Sequence, residues 1–575
     1  VTIHDATPRT GDQPRTGNPP PRRAALAVLA LMCLVLLSAA GPAAGAVSAG
    51  AVSAGAAGAG VRVGGEPRPT ATAGEARTAA YLDSIHDDPG LLQRFFLRLP
   101  KGGDLHNHLF GAVRTEYLIE LAGQDGLCVD TATLTAVVPP CGGGSRPAAD
   151  ARTDRDFREA ILRAWSMQDF PPDRLGHDHF FATFDKFGLV AARHPGKVLA
   201  EVADSVAAQH QLYLETMVNP ASDEAAQLAE QAGWDPDLPA LHARLVADGG
   251  LDRVVADARA QTDAADAEFR AAARCGTGRP RPGCRLAVRF VYQAFRGGSP
   301  ESVFAQLALG MRLAERDPRF VAVNLVQPED GDSALRDYSL QMRMVDFLRT
   351  VYPKAHVTLH AGELWPGLVK PEDLRFHIRE AVDVAGAERI GHGVDLRFED
   401  DWQRTARVMA DRQVAVEVPF TSNAQILGVR GAEHPFDTYR AFRVPVVLAT
   451  DDPGVSRIDI SHEYRYAAET YGLTYPELKD LARASLQYAF LPGRSLWRGN
   501  PTRDGYRPVS VCAGQLPGGD AEADGNSNGN GNRPRPPGAE CRRLIAASPK
   551  AAVQWRQEAA FAGFEGSGHP VHPAL

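Results

Sequence analysis

Between about residues 76 and 505, short apolar runs alternate with longer stretches whose apolar residues fall at helical spacing. Eight runs have the length and β-branched content of strands: GGDLHNHL, QLYLETMV, RLAVRFVYQAF, FVAVNLVQ, HVTLHAGE, RIGHGVDL, VAVEVPFT and VPVVLATDDP. Between them lie amphipathic segments such as PGKVLAEVADSVAAQ and ALRDYSLQMRMVDFLRTV. Strand–helix alternation implies a parallel sheet with right-handed crossovers, and eight units predict an α/β fold of the (β/α)8 barrel type. A doubly wound open sheet shares the alternation, but no Gly-x-Gly-x-x-Gly turn follows the first strand.

Outside that range the pattern lapses. Residues 1–46 read as a secretory signal peptide: Arg22 and Arg23, then AALAVLALMCLVLLSAA, then a small-residue stretch ending in a plausible AGA cleavage site at Ala44–Ala46. Residues 47–75 read as a disordered low-complexity linker, and residues 506–575 as a C-terminal extension holding a disordered insert at about 516–538. The extension ends in a helix-like segment with Val553, Trp555, Ala559 and Phe561 as its apolar positions.

Composition narrows the partners. With 62 Lys+Arg against 70 Asp+Glu and no basic block, the chain is not built for nucleic acid or an anionic membrane. Once the signal is cleaved, a stable membrane association is not expected, and oligomerisation is left open. Without Cys33 the cysteines are Cys128, Cys141, Cys275, Cys284, Cys512 and Cys541, an even set suited to an exported, extracellular protein. Pairing nearest neighbours, 128–141, 275–284 and 512–541, staples three Gly- and Pro-rich loops.

The chemistry sits at the strand ends. The first run ends in His106 and His108, the fifth in His360-Ala-Gly-Glu363, and the eighth in Asp451-Asp452-Pro453, while the sixth carries His392 between two glycines. Acids and imidazoles there are costly to bury unless paired or metal-bound. In a barrel these ends converge on one pocket. In an extended strand, residues i and i+2 share a face, so His106 and His108 project together with Asn107 turned away. Three imidazoles and a carboxylate suit one zinc ion per chain, with a position left for water, which assigns His106, His108, His360 and Asp451 as ligands. Asp452 then faces the other way, Glu363 reaches substrate from beyond its strand, and His392 serves as base or orienter. A second His-x-His, His177 and His179, heads a helical stretch where i and i+2 diverge, and reads as non-ligating. Phe181 and Phe184 beside it either wall a pocket or pack the core.

The order H-x-H, H-A-G-E, G-H-G and T-D-D-P, followed by EYRYAAETYGLTYPELKDLARASLQYAFLP, resembles the adenosine deaminases, and with the export signal most closely their secreted, growth-factor-related branch. The resemblance runs over about residues 95–495. It implies a zinc-dependent barrel converting adenosine or 2′-deoxyadenosine to the 6-oxo product and ammonia. In it His106, His108, His360 and Asp451 match the zinc ligands, and Glu363 the acid that protonates the purine ring nitrogen. His392 matches the group that takes a proton from the metal's water, and Asp452 the aspartate that fixes the purine. Two positions depart from the family pattern. Phe110 stands where the intracellular enzymes carry an Asp that grips the ribose. The usual D-L-x-G after the fourth strand reads Asn324-Leu-Val-Gln327, and Gln327 is expected to intrude on the purine edge unless its loop shifts. Phe110, Gln327 and Phe181 are therefore the expected substrate contacts that set specificity. Phe110 and Gln327 support a second reading, the same chemistry on adenine, a modified adenosine or another amino-heterocycle. A non-catalytic nucleoside-binding or signalling protein ranks last, since no ligand or acid is missing.

Overall fold

The computed structural model describes residues 71–518 and 536–567. The segment read as a signal peptide, most of the linker and the body of the insert lie outside the described residues. The first helix, Ala73–Ser84, begins inside the stretch read as linker, because Thr72 caps it by accepting the Glu75 N–H at 3.1 Å.

All eight strand runs become barrel strands, here β1 (Gly102–Asp104), β2 (Gln211–Val218), β3 (Ala287–Phe295), β4 (Phe320–Val326), β5 (His356–Ala361), β6 (Arg389–His392), β7 (Ala415–Val418) and β8 (Val446–Leu448). They hydrogen-bond in chain order as a parallel sheet. Helices lie between successive strands, so both faces are covered and a strand such as β4 is buried at every residue. Beyond the regular strands, the His108 N–H donates to Asp451 O and the Asp451 N–H to His106 O, both at 2.9 Å. The barrel therefore closes between β1 and β8 at the residues singled out as ligands.

Three additions decorate the barrel. A small antiparallel sheet follows β1, with Cys128–Asp130 between Ala136–Val137 and Ser145–Pro147. The crossover from β2 to β3 holds three helices, ending in Gly250–Ala272. The cysteines pair as 128–141, 275–284 and 512–541, the nearest-neighbour set.

The third addition is the C-terminal helix Pro549–Gly566, whose docking the sequence left unread. It packs on the helix Tyr475–Gln487 at the barrel's N-terminal end, where Gln557 Oε1 accepts the Gly102 N–H at 3.1 Å. Arg483 grips Glu558 with two 2.8 Å bonds, and Lys479 donates to Glu565 at 2.6 Å. Phe561 and Phe564 join the main core beside Tyr475.

Candidate metal centre and active site

His106 and His108 lie just past β1, whose regular pairing stops at Asp104, yet the chain stays extended enough for the two rings to converge. Asn107 turns away, accepting from Thr216 Oγ1 at 2.8 Å and donating to Thr450 Oγ1 at 3.3 Å. His360 comes from the end of β5, level with Gly391 of β6. A Cβ on Gly391 would lie 2.5 Å from the His106 ring, so only glycine leaves room for that imidazole.

Each of the three rings donates its Nδ1–H to an oxygen. His106 donates to Glu417 Oε2 at 2.7 Å, His108 to Gln293 Oε1 at 3.0 Å and His360 to Asn324 Oδ1 at 2.9 Å. Every Nε2 is thereby left as a lone pair turned inward. His360 Nε2 lies 3.1 Å from that of His106 and 3.2 Å from that of His108. Asp451 Oδ1 is 3.4 Å from His106 Nε2 and 3.2 Å from His108 Nε2. Asp451 Oδ1 is buried without a hydrogen-bond partner among the described residues.

Acceptors crowded at this spacing repel one another unless a cation sits between them. Ligands about 2.0–2.1 Å from a tetrahedral ion stand about 3.3 Å apart, which matches these four separations. Burial opposes charge on His106, but the Asp451 and Glu417 carboxylates outweigh it and push its pKa up to about 10. The donor set fits a divalent metal ion, held by His106, His108, His360 and Asp451.

Two further groups border the cluster with opposite protonation demands. Burial, then the Asp451 and Glu329 charges, raise the Glu363 carboxyl well above its usual range, so it is a neutral acid. Burial lowers His392 to about 4, so it is a neutral imidazole. His392 Nδ1 donates to Asn423 Oδ1 at 2.8 Å, and its buried Nε2, free of partners among the described residues, lies 3.9 Å from Asp451 Oδ2. His392 and Asp451 both sit in the left-handed backbone region, φ 67° and 59°, which turns each out of its strand. That turn at Asp451, rather than a strand pleat, sends Asp452 elsewhere. Its side chain lies where a Cβ on Gly111 would fall, 1.7 Å from Oδ1, so the helix Leu109–Ala112 needs glycine there.

The expected substrate contacts fall out differently. Gln327 takes φ 85°, keeping the backbone of the glycine it replaces, and its Oε1 accepts the Gly297 N–H at 3.0 Å. The side chain is thereby tied to the neighbouring loop. Phe110 and Phe181 are half-buried and pack on one apolar cluster with Leu109, Val394 and Val455. His177 and His179 diverge as read, one to Asp330 at 3.0 Å and the other to the Ser166 carbonyl.

Sequence reasoning passed over the groups behind the site. Glu417 is held by Arg389, which also binds Glu215, and Arg389 stacks 3.8 Å over Phe490. Glu329 accepts the backbone N–H of Gly362 at 3.1 Å and of Glu363 at 2.8 Å, fixing the turn that carries the acid. Arg296 Nη2 donates to the His360 carbonyl at 2.6 Å. The available signal was a charged or amide residue inside an apolar strand: Glu215 in LYLETMV, Asn324 in FVAVNLVQ and Glu417 in VAVEVPFT.

An adenosine deaminase family model matches residues 166–496, more than half of the chain. Adenosine deaminases of Escherichia coli strains SE11 and O1:K1 are 34% identical over 216 residues, which is 37% of this chain and 59% of theirs. The chain thus spans less than two thirds of the curated relatives' length. Among solved structures, the N6-methyl-AMP deaminase of Arabidopsis thaliana aligns at TM-score 0.47 and 21% identity, covering 70% of this chain and 94% of that one. An adenine deaminase of Arthrobacter aurescens aligns at TM-score 0.41 and 16% identity, covering 68% and 94%. The matched segment carries His360, Glu363, His392 and Asp451, and the fold adds His106 and His108 from outside it. On that match the chain belongs to the adenosine deaminase family.

Proposed function

We propose that this chain is a secreted, zinc-dependent hydrolytic deaminase that converts adenosine or 2′-deoxyadenosine to the 6-oxo nucleoside and ammonia. One observation carries the reading. A four-ligand cluster is flanked by a buried acid held neutral and a buried imidazole held neutral, Glu363 and His392. Two groups whose surroundings drive them to opposite tasks mark acid–base chemistry. When bound, the metal supplies Lewis acidity that makes water nucleophilic near neutral pH.

The chain's own residues supply the rest. Neutral Glu363 donates its proton to the purine ring nitrogen, which draws electrons from C6 as the water oxygen adds there. His392 accepts the proton that the attacking water loses, at its unpartnered Nε2. Returned to the 6-amino group, that proton lets ammonia leave; the C6 hydroxyl gives its remaining proton back to the Glu363 carboxylate, and the oxygen stays as the 6-oxo group. Asp452, also pushed well above the usual carboxyl range by burial and then by Asp451, presents a carboxyl that holds the purine edge.

Export is supported by the three disulfides and by the signal-like residues 1–46. Phe110 favours a second reading, turnover of adenine or a modified adenosine, because it offers apolar surface where a ribose-gripping carboxylate is expected.

The test follows ammonia from the purified chain with adenosine, 2′-deoxyadenosine and adenine, and the 6-oxo product and released amine with N6-substituted adenosines, with chelator and after zinc is restored. Metal-dependent ammonia with inosine as product is expected, and Glu363→Gln should lower kcat about 10²- to 10⁴-fold while keeping its metal. Turnover of adenine alone would move the assignment to the second reading. A folded, zinc-loaded chain inert to every substrate would refute both.

A further inference from the structure

The three imidazoles share a tautomer but not the group that enforces it. Behind His106 stands a carboxylate, Glu417; behind His108 and His360 stand neutral amides, Gln293 and Asn324. A partner that accepts a ligand's other N–H raises that ligand's basicity, and a carboxylate does so more than an amide. Asn324 occupies the place where the family pattern of the sequence analysis carries Asp.

Its placement is tightly constrained. Asn324 is fully buried on β4, and the single atom Oδ1 accepts both the His360 backbone N–H and its ring Nδ1–H, each at 2.9 Å. The strand pairing between β4 and β5 runs through Val323 and Val357, and beyond it the side chain receives the His360 N–H. Asn324 Nδ2 points at Met217 Sδ, 3.6 Å away, so the amide has a defined direction: oxygen to the histidine, nitrogen to a soft sulfur. Arg296 fixes His360 from its carbonyl side.

We propose that Asn324 is a positioning residue that tunes the metal centre. It locks His360 in the metal-binding tautomer without adding charge, and so sets a lower metal affinity than a carboxylate would give. The inference rests on the metal reading of the four-residue cluster and not on which purine is the substrate. Ionised, Asp at 324 would add a second carboxylate behind the ligands, strengthening His360 as a donor and increasing the attraction for a cation. Alanine at 324 would leave the ring N–H without its acceptor and the tautomer unfixed.

The experiment measures zinc affinity of the full chain by competition with a chromophoric chelator, in the absence of any purine. Relative to the parent, Asn324→Asp is expected to bind zinc about 10-fold more tightly or better, and Asn324→Ala about 10- to 100-fold more weakly. The cobalt-loaded Asn324→Asp protein should also show shifted visible absorption, which a fold change remote from the metal would not produce. Equal or weaker zinc binding by folded Asn324→Asp would overturn the proposal. If that variant fails to fold, Gln293→Glu places the same carboxylate behind His108: tighter binding supports the argument, and unchanged or weaker binding overturns it. A parent that binds no zinc refutes the metal reading and this inference together. A parent that binds zinc yet leaves adenosine intact refutes only the substrate assignment.

Discussion

Replacing Glu329 by Gln tests how the acid-bearing turn is held. Three donors converge on this buried carboxylate: the N–H groups of Gly362 and Glu363 at 3.1 and 2.8 Å, and His377 Nδ1 at 2.6 Å. Burial raises its pKa, but His377 and Arg296 outweigh that and leave it below the usual carboxylate range. Nearby Asp395, and Glu399 even though it accepts the Ile378 and Arg379 N–H groups, are pushed upward, first by burial, Glu399 to about 8. Glu329 is thus the carboxylate of this group that carries charge. Glutamine keeps the shape but swaps one acceptor oxygen for a donor NH2, so at least one N–H of the turn meets another donor. An orphaned buried N–H costs about 1–3 kcal/mol, and a charge-assisted bond contributes about 1.5–3 kcal/mol. The two together predict a loss of about 3–5 kcal/mol, the range for breaking one side of a buried charged pair. A displacement of about 1 Å at the turn moves the Glu363 carboxyl and lowers kcat about 100-fold. Urea unfolding of parent and variant at pH 7, with ammonia release on the same samples, reads both effects. Stability within about 0.5 kcal/mol of the parent, with unchanged kcat, would show that the turn holds without this carboxylate and would refute the reasoning.

Three other outcomes are expected. Arg483→Ala removes the two-bond grip on buried Glu558, so the helix Pro549–Gly566 should loosen, costing about 3–5 kcal/mol and exposing the C-terminal segment to limited proteolysis. Serine at Cys512 and Cys541 opens a loop with a sequence separation of 29, for which chain entropy predicts a loss of about 3–4 kcal/mol, read as a fall in Tm of the unreduced variant against the unreduced parent. Burial raises Glu463 from 4.5 to about 8, so between those values the folded chain holds a proton that the unfolded chain has released, and its contribution to stability falls as pH rises through the window. Glu463→Gln, which still accepts from Thr421, should abolish that slope; a parent and variant with the same pH dependence of unfolding would contradict it.

Reading the barrel from the chain worked where one physical signal sufficed. Strands buried on both faces must be continuously apolar, so FVAVNLVQ and HVTLHAGE stand out from the amphipathic segments between them. The four residues that cluster as candidate metal ligands were legible because imidazole and carboxylate at apolar strand ends are costly to bury without a common purpose. Two details reached the right outcome by another route. His106 and His108 converge beyond the regular part of β1, and Asp452 diverges because Asp451 adopts φ 59°, a conformation a strand pattern does not encode. Gln327 was read from its bulk alone; its left-handed backbone and its bond to Gly297 are features a residue type does not encode.

By itself, the sequence determined the order of strands and helices, the set of polar groups at the strand ends and the economical cysteine pairing. These are local in character: each follows from residue type, spacing and the cost of leaving a group unpaired. Only the tertiary structure decided which groups stand behind the ligands, since Glu417, Gln293 and Asn324 come from three strands and meet their imidazoles only when the sheet closes. Closure also decided that the C-terminal helix seats at the barrel's N-terminal end, through Arg483, Lys479 and Gln557. Partners 36 to 455 residues apart leave no periodic trace along a single chain; their distances and directions exist only once the fold brings them together.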